Sequence, residues 1–162
     1  MSADDKLAVA ETIYRYATGI DTRDFTLYRS IFAHEVAIDF SSYNGRQPAM
    51  TTGDEWVESV RPLFTELAAT QHSMTNPVAE IEGDSATCRM YMQAHHVYLP
   101  DDPTSWFTIG GYYDDTLRRS ADGPAGWLIT GVTLTVFWRT GDANIMVAAA
   151  AARRANHQRP KS

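Results

Sequence analysis

The residues best suited to chemistry in this 162-residue chain are an aspartate and a histidine in different elements. Asp21 stands at the end of the first helical pattern, and His72 follows the next long helical stretch. A histidine exchanges protons near neutral pH, and a carboxylate bonded to one ring nitrogen fixes its tautomer and stabilises the imidazolium. If the two side chains meet in an apolar cavity, they form a general acid–base pair. Taken singly, Asp21 is more simply a helix terminator or cap, and His72 a structural residue of a strand.

Helical periodicity predicts the elements that would carry Asp21. Apolar residues at helical spacing predict a first helix that starts at Ser2 with Asp5, a second over about residues 24–32, and a third from Thr52 or Asp54 to Leu67. Gly19 weakens the first helix, Asp21 ends it, and Pro62 predicts a kink in the third. A short strand is expected over residues 36–40, before a turn at Asn44-Gly45.

From residue 71 onward the sequence alternates with a period of two, which is typical of β-strands. The predicted strands cover about residues 71–82, 85–98, 105–119 and 126–140. Tight turns between them favour consecutive antiparallel pairing. Three helices followed by this meander predict an α+β fold, a cone-shaped barrel in which a long curved antiparallel sheet wraps around the three N-terminal helices. Its apolar interior would admit a ligand at the open end.

The end of the chain predicts one further helix. Asp142 is placed to cap a helix through the alanines at 148–152, and residues 153–162 are expected to form a frayed, basic tail. We therefore expect one cone domain over residues 1–142 and a C-terminal helix with its tail over residues 143–162.

Composition limits the class of protein. The net charge of -6 argues against a nucleic-acid partner, because phosphate binding needs a basic face. A single cysteine, Cys88, fits a reducing compartment, and the acidic start of the chain predicts no secretion signal. No apolar run reaches the roughly 18–20 residues of a membrane span. The expectation is a soluble, cytoplasmic protein without a membrane partner.

Metal and nucleophile chemistry have weak support. His72 and His95 lack a third ligand at a recognisable spacing, and His34-Glu35 lacks a distal histidine, so no metal site is predicted. The chain contains no Gly-x-Ser-x-Gly motif, and Cys88 lies in a predicted strand, where it is expected to pack in the core.

Several short segments resemble the SnoaL-like branch of the nuclear-transport-factor-2-like superfamily. They are Gly-Ile-Asp-Thr-Arg-Asp at 19–24, Ile-Phe-Ala-His-Glu-Val at 31–36, Gln-His-Ser-Met-Thr-Asn at 71–76 and Gly-Gly-Tyr-Tyr-Asp-Asp at 110–115, with a late Gly-Trp strand. The resemblance covers about residues 5–142 and is greatest to scytalone dehydratase, hexachlorocyclohexane dehydrochlorinase and bile-acid 7α-dehydratase. It implies a cone-shaped α+β fold, no metal or organic cofactor, and an Asp–His dyad that carries out an elimination.

The resemblance also implies roles for individual residues. Asp21 would match the dyad aspartate and His72 the dyad histidine, while Tyr16 would match a tyrosine near the leaving group. His95 would match a second polar residue of the pocket wall. Dehydrochlorinase-like members bind the leaving anion with an arginine on the last long strand, but residues 129–133 here read Ile-Thr-Gly-Val-Thr. Loss of water from a neutral substrate therefore fits better than loss of an anion.

The strand around residue 95 leaves two choices for the cavity wall, because adjacent strand residues point to opposite faces. One face carries Tyr91, Gln93 and His95, and the other carries Met90, Met92 and His96. We expect the more polar face to line the cavity, with the apolar face as the alternative. The predicted substrate contacts are His95, Tyr91, Trp56 and Phe40.

These observations lead to one main functional hypothesis. We expect a cofactor-independent lyase of the dehydratase type that acts on a hydrophobic, carbonyl-bearing small molecule. His72 would be the base, Asp21 would orient it, and Tyr16 would donate to the leaving oxygen. The alternatives are a polyketide cyclase or isomerase that uses the same dyad, and a non-catalytic module that binds a small ligand. Association as a homodimer or homotrimer through the exposed sheet face is also expected.

Overall fold

One six-stranded sheet with helices packed against it makes up the fold. The protein is described by a computed structural model that covers residues 3–157. In chain order the elements are α1 (Ala3–Asp21), α2 (Phe25–Ser30), β1 (Phe32–Asp39), α3 (Ser41–Asn44), β2 (Ala49–Thr52), α4 (Gly53–Glu66), β3 (Ala69–Glu82), β4 (Ser85–Val97), β5 (Trp106–Arg119), β6 (Trp127–Gly141) and α5 (Asn144–His157). Within this range, every helix is too short or too polar to cross a membrane.

The sheet confirms the predicted α+β class and the predicted meander. Its strand order is β2-β1-β6-β5-β4-β3, and the four long strands β3 to β6 pair consecutively and antiparallel. Two features were not predicted: the strand β2, and the parallel pairing of β1 with β6. The sheet is therefore mixed and does not close, since β2 and β3 form its two edges.

Local irregularities interrupt the ladders of the long strands. The register shifts between Gly110 and Gly111 where β5 pairs with β6, and between Thr75 and Val78 where β3 pairs with β4. Such bulges bend a strand and increase its local twist. They favour a curved sheet, with one face turned toward α1, α2 and α4.

The helix ends follow from short-range hydrogen bonds. The carboxylate of Asp24 accepts the backbone N–H of Leu27 at 2.9 Å and so caps α2. Thr52 and Glu55 form a reciprocal capping box at the start of α4, which continues through Pro62. The predicted turn at 44–45 is the end of the short helix α3, where Gly45 adopts a left-handed φ of 72°.

Gly19 brings α1 and α2 together. A Cβ atom at this position would lie 2.8 Å from the Cβ of Tyr28, closer than side chains normally approach. The glycine therefore allows α2 to pack directly beneath the end of α1, and this packing fixes the position of Asp21 as the last residue of α1.

The predicted C-terminal helix is present as α5. The backbone N–H of Asn144 donates to the Asp142 carboxylate at 2.9 Å, as expected of a cap. Ile145 and Ala149 are buried, and α5 packs against α4. Residues 158–162 of the predicted tail lie outside the described residues, and the division at residue 142 stays a prediction.

Asp115 is an unusual member of the core. It lies on β5 opposite Cys88 of β4 and Val132 of β6, and only 2% of its surface is exposed. Its Oδ1 atom has no hydrogen-bond partner among the described residues. Burial, together with the charge of neighbouring Asp114, raises the pKa of the Asp115 carboxyl well above its ordinary value. The folded protein therefore keeps this group protonated at a pH where the unfolded chain ionises it.

This difference makes stability depend on pH at Asp115. Above the ordinary carboxyl pKa the unfolded chain releases a proton that the folded state retains, so Asp115 costs stability as the pH rises. We expect Asp115→Asn to raise the free energy of unfolding at pH 7.5, because asparagine has no proton to release when the chain unfolds. The gain should shrink as the pH falls toward 4. Urea unfolding at both pH values measures it.

Asp122→Asn is the control, because Asp122 is exposed in the turn between β5 and β6 and makes the same chemical change away from Asp115. It should change stability little at either pH. If Asp115→Asn gave no gain at pH 7.5, or the same gain at both pH values, the carboxyl would not be protonated as described.

Candidate active site

The two residues singled out by the sequence meet where α1 ends beside β3. The Nδ1 atom of His72 lies 2.7 Å from Oδ1 of Asp21, and the backbone N–H of His72 donates to Oδ2 at 2.6 Å. One carboxylate thus binds both the ring and the backbone of the same histidine. This fixes the position and the orientation of the imidazole.

Thr70 completes the shell around the carboxylate. Its hydroxyl donates to Oδ1 of Asp21 at 2.9 Å. Burial raises the pKa of Asp21, but the hydrogen bonds and charge of His72, together with the Thr70 bond, outweigh burial and hold this pKa below its usual value. Asp21 is therefore ionised at neutral pH. Because a carboxylate only accepts hydrogen bonds, Nδ1 of neutral His72 carries the proton and Nε2 is the free base.

His72 borders a largely apolar cavity of about 270 Å³, and Asp21 stands behind it. The side chain of His72 is 4% exposed, whereas that of Asp21 is 20% exposed. The apolar side chains that line the cavity are Phe40, Trp56, Val60, Leu63, Phe64, Ala94, Ile109, Leu134 and Met146. Met146 belongs to α5, so the C-terminal helix contributes to the cavity wall. An imidazole in this setting reaches a ligand with little competition from water.

Tyr16 also lines the cavity, as predicted, and belongs to a group of buried tyrosines. Its ring centroid lies 6.4 Å from that of His72 and within 5.3 Å of the rings of Tyr28 and Tyr113. The indole N–H of Trp56 donates to the Tyr28 hydroxyl at 3.0 Å. Burial first, and then the neighbouring Tyr28, raise the pKa of Tyr16 well above its ordinary value. Tyr16 is therefore a neutral hydrogen-bond donor at every pH of interest.

The predicted cavity face of β4 was wrong. His95 and Tyr91 point to the outer face of the sheet, where His95 lies 2.7 Å from the Thr108 hydroxyl and Tyr91 is 48% exposed. The alternative face lines the cavity, and it contributes His96. Trp56 and Phe40, the other two predicted substrate contacts, both line the cavity with their rings 5.3 Å apart, and their contact with a substrate stays a prediction.

His96 places a second imidazole beside the first. It is buried, and its ring centroid lies 5.9 Å from that of His72 in an edge-to-face arrangement. Nδ1 of His96 donates to the carbonyl oxygen of Phe107 at 3.1 Å. Burial, followed by the proximity of His72, lowers the pKa of His96 to about 4. His96 is therefore uncharged at neutral pH, and its Nε2 can accept a hydrogen bond.

The sequence analysis missed several polar residues of the cavity. Tyr43 and Asn44 come from α3, Arg46 from the segment that follows it, and Ser59 from α4. The only signal for this region was the Asn-Gly turn, which marks a change of direction but not what its side chains approach. Arg46 matters most among them because it brings a positive charge to the cavity. This charge comes from the segment after α3, whereas the last long strand, β6, contributes Leu134.

Within residues 3–157 no group of three or more His, Cys, Asp or Glu side chains has the arrangement of a metal site. The polar groups nearest the cavity instead form an acid–base set made of a carboxylate-bound imidazole, a neutral imidazole and a tyrosine.

Several solved structures share this fold. The Kfla4162 protein from Kribbella flavida is 29% identical, with a TM-score of 0.80 over 88% of this chain and 97% of that one. A proposed scytalone dehydratase from Novosphingobium aromaticivorans is 18% identical, with a TM-score of 0.72 over 85% and 87% of the two chains. A hexachlorocyclohexane dehydrochlorinase of type 2 is 15% identical, with a TM-score of 0.68 over 86% and 89%.

Comparison by sequence identifies a family. No curated protein matches this chain significantly. The family model described as the SnoaL-like domain matches residues 1–133, which include the first three long strands and both members of the Asp–His pair. The chain therefore belongs to the SnoaL-like domain family.

Proposed function

We propose that this protein is a cofactor-independent lyase that removes water from a hydrophobic, carbonyl-bearing small molecule. The observation that carries the proposal is the 2.7 Å contact between Asp21 and His72 at the wall of an apolar cavity. Membership of the SnoaL-like family supports a role in small-molecule chemistry. The printed names of two structures with the same fold, a dehydratase and a dehydrochlorinase, support elimination as the reaction class.

His72 would begin the reaction as a base. A carbonyl group acidifies the adjacent C–H bond, and the free Nε2 of His72 would take that proton. Asp21 would remain ionised and stabilise the imidazolium, as a carboxylate does for a histidine in general acid–base catalysis. Proton transfer by a positioned side chain accelerates reactions by about 10²–10⁴. The apolar cavity lining would strengthen these charge interactions.

The leaving hydroxyl would depart as water with help from Tyr16. Because tyrosinate is strongly disfavoured at this buried site, Tyr16 would donate a hydrogen bond rather than lose its proton. The imidazolium of His72 would return the abstracted proton to the leaving oxygen as the C–O bond breaks. The substrate then loses H and OH together, and the protein returns to its starting state without any other reactant.

Two observations bear on competing functions. A polyketide cyclase or isomerase would use the same pair to form an enolate but would expel nothing, so the pair alone does not separate these reactions. Arg46 at the cavity favours a substrate or leaving group with negative charge, in contrast to residues 129–133, which lack a cation. We keep water as the leaving group because Arg46 is exposed, whereas the reacting groups are buried.

Substitutions in the pair test the assignment of residues. We expect His72→Gln and Asp21→Asn to lower kcat by at least about 10² while the fold is retained, because each removes part of the proton-transfer device. The assay follows absorbance of the conjugated product from a panel of aromatic β-hydroxy ketones. His95→Gln is the matched control, since it changes a histidine of the outer face, and it should keep wild-type turnover. Equal activity of His72→Gln and His95→Gln would refute the proposal.

The isotope content of recovered material separates elimination from isomerisation. In D₂O a dehydratase should yield the conjugated product together with stoichiometric water, and in His72→Gln both product and deuterium exchange at the acidified carbon should disappear. An isomerase or cyclase would instead give a product of unchanged mass apart from deuterium. Mass spectrometry distinguishes these outcomes, and exchange that persists in His72→Gln would count against His72 as the base.

We also propose that the protein associates with further copies of itself through the outer face of the sheet. Tyr91, Phe137 and Trp138 form an exposed aromatic group there, with Phe137 58% exposed, and such patches are typical of interfaces. We expect light scattering to give the mass of a dimer or trimer, and Phe137→Glu to shift this mass toward that of the monomer. A wild-type protein that is monomeric at high concentration would contradict this.

The cytoplasmic location, which was expected from the single cysteine, stays a prediction.

A further inference from the structure

The residue Arg23 lies between α1 and α2, outside the cavity, and has an unusual backbone conformation. Its φ is 61°, in the left-handed region that residues with a side chain rarely adopt. The guanidinium group turns back toward the end of α1, where Nη1 donates to the carbonyl oxygens of Ile20 at 2.8 Å and Asp21 at 3.1 Å. Arg23 therefore holds the backbone that carries the Asp21 carboxylate.

The same guanidinium reaches across to β3. Nη1 of Arg23 donates to the Thr70 hydroxyl at 2.7 Å, and Nη2 donates to the carbonyl oxygen of Leu67 at 3.1 Å. Leu67 and Thr70 flank the start of β3, the strand that carries His72. One partly buried side chain thus ties together the two segments that carry the acid and the base.

The direction of the hydrogen bonds through Thr70 is fixed by chemistry. Arginine has donors and no acceptor, so the Thr70 oxygen accepts from Arg23. The single hydroxyl hydrogen of Thr70 is then left for Oδ1 of Asp21, at 2.9 Å. Donation accordingly runs from Arg23 to Thr70 to Asp21, and His72 donates to the same carboxylate from its other side.

The hydroxyl between the cation and the carboxylate has a further consequence. A direct, two-pronged contact with arginine would occupy both carboxylate oxygens and compete with the two bonds from His72. In this arrangement Arg23 binds the carbonyl of Asp21, while the carboxylate oxygens remain with Thr70 and His72. The positive charge therefore supports the carboxylate without displacing the imidazole.

We propose that Arg23 and Thr70 are positioning residues that hold Asp21 ionised and aimed at Nδ1 of His72. The inference rests on the proposed function, in which His72 is the base. Neither residue lines the cavity, so both act through Asp21 and not on a ligand. Their effect should be visible in the free protein, before any substrate is added.

Thr70→Val tests the hydroxyl, because valine keeps the shape and removes both hydrogen bonds. We expect the pKa of Asp21, followed by ¹³C NMR of the labelled carboxylate, to rise, because the hydroxyl bond to the ionised form is lost. The ¹⁵N spectrum of the His72 ring should show a mixture of Nδ1–H and Nε2–H forms in place of Nδ1–H alone. Thr70→Ser should restore both signals. Thr18→Val is the control, since Thr18 is an exposed residue of α1 whose hydroxyl donates to the Tyr14 carbonyl.

Arg23→Lys keeps the positive charge and tests whether donation from two separate nitrogens of the guanidinium is needed. Lysine has a single terminal nitrogen, which cannot occupy the separate positions of Nη1 and Nη2 that bond Thr70 and Leu67, so the His72 tautomer should again become mixed. Arg15→Lys is the control, because Arg15 lies on α1 and pairs with Glu11 at 3.0 Å, away from Thr70 and Leu67. In a turnover assay both Arg23→Lys and Thr70→Val should lower kcat with KM nearly unchanged.

The positioning role of Arg23 and Thr70 and the proposed reaction are contradicted by different results. If Thr70→Val leaves both the Asp21 titration and the His72 tautomer as in the wild type, the positioning role is wrong, whatever the reaction. If these signals change as expected but no tested compound loses water, the positioning role stands and the proposed reaction is wrong. Changes that Thr70→Ser fails to restore would also overturn the role of the hydroxyl.

Discussion

The structure depends most on the contact between the carboxylate of Asp21 and the imidazole of His72. It joins the last residue of α1 to β3, two segments that are 51 positions apart in the chain. Several local features serve this single contact. Gly19 lets α2 pack closely against α1, and Arg23 ties the end of α1 to the start of β3. A carboxylate that accepts three hydrogen bonds stays ionised in spite of its burial.

The surroundings of His72 suit a group that gains and loses charge. A second imidazole at 5.9 Å would oppose a positive charge on His72 if it were itself protonated. Burial keeps His96 neutral by lowering its pKa to about 4, so Asp21, His72 and His96 together carry one negative charge and at most one positive charge. The buried tyrosines add donors that do not ionise. Among these side chains, proton transfer therefore changes the charge of His72 alone.

Periodicity and turn chemistry predicted most of the elements, because these signals act over a few residues. The helices α1, α2, α4 and α5, the four long strands and the end of α1 at Asp21 follow from local patterns, whereas a turn was expected in place of the short helix α3. The strand β2 and the parallel pairing of β1 with β6 could not be predicted in this way, since they depend on contacts between distant segments. The position of Arg46 at the cavity was not predicted for the same reason, since it depends on how the loop after α3 folds back.

The wrong choice of the His95 face over the His96 face as the cavity wall has a different origin, because the sequence pattern itself indicated the correct face. Every second residue from Cys88 to Ala94 is apolar and buried, and His96 has the same parity. The polar side chains of the opposite face were taken as the more site-like, although a cavity in a small domain is mostly apolar. The parity of the core residues was the better guide, because one strand cannot change faces without a bulge.

The most direct test of the central claim is a crystal structure with an inert analogue bound, an aromatic ketone that lacks the β-hydroxyl group. The account predicts that the analogue lies in the cavity, with the carbon next to its carbonyl about 3–3.5 Å from Nε2 of His72 and the Asp21 contact intact. An analogue bound on the outer face of the sheet, or one whose acidic carbon lies far from Nε2, would contradict it.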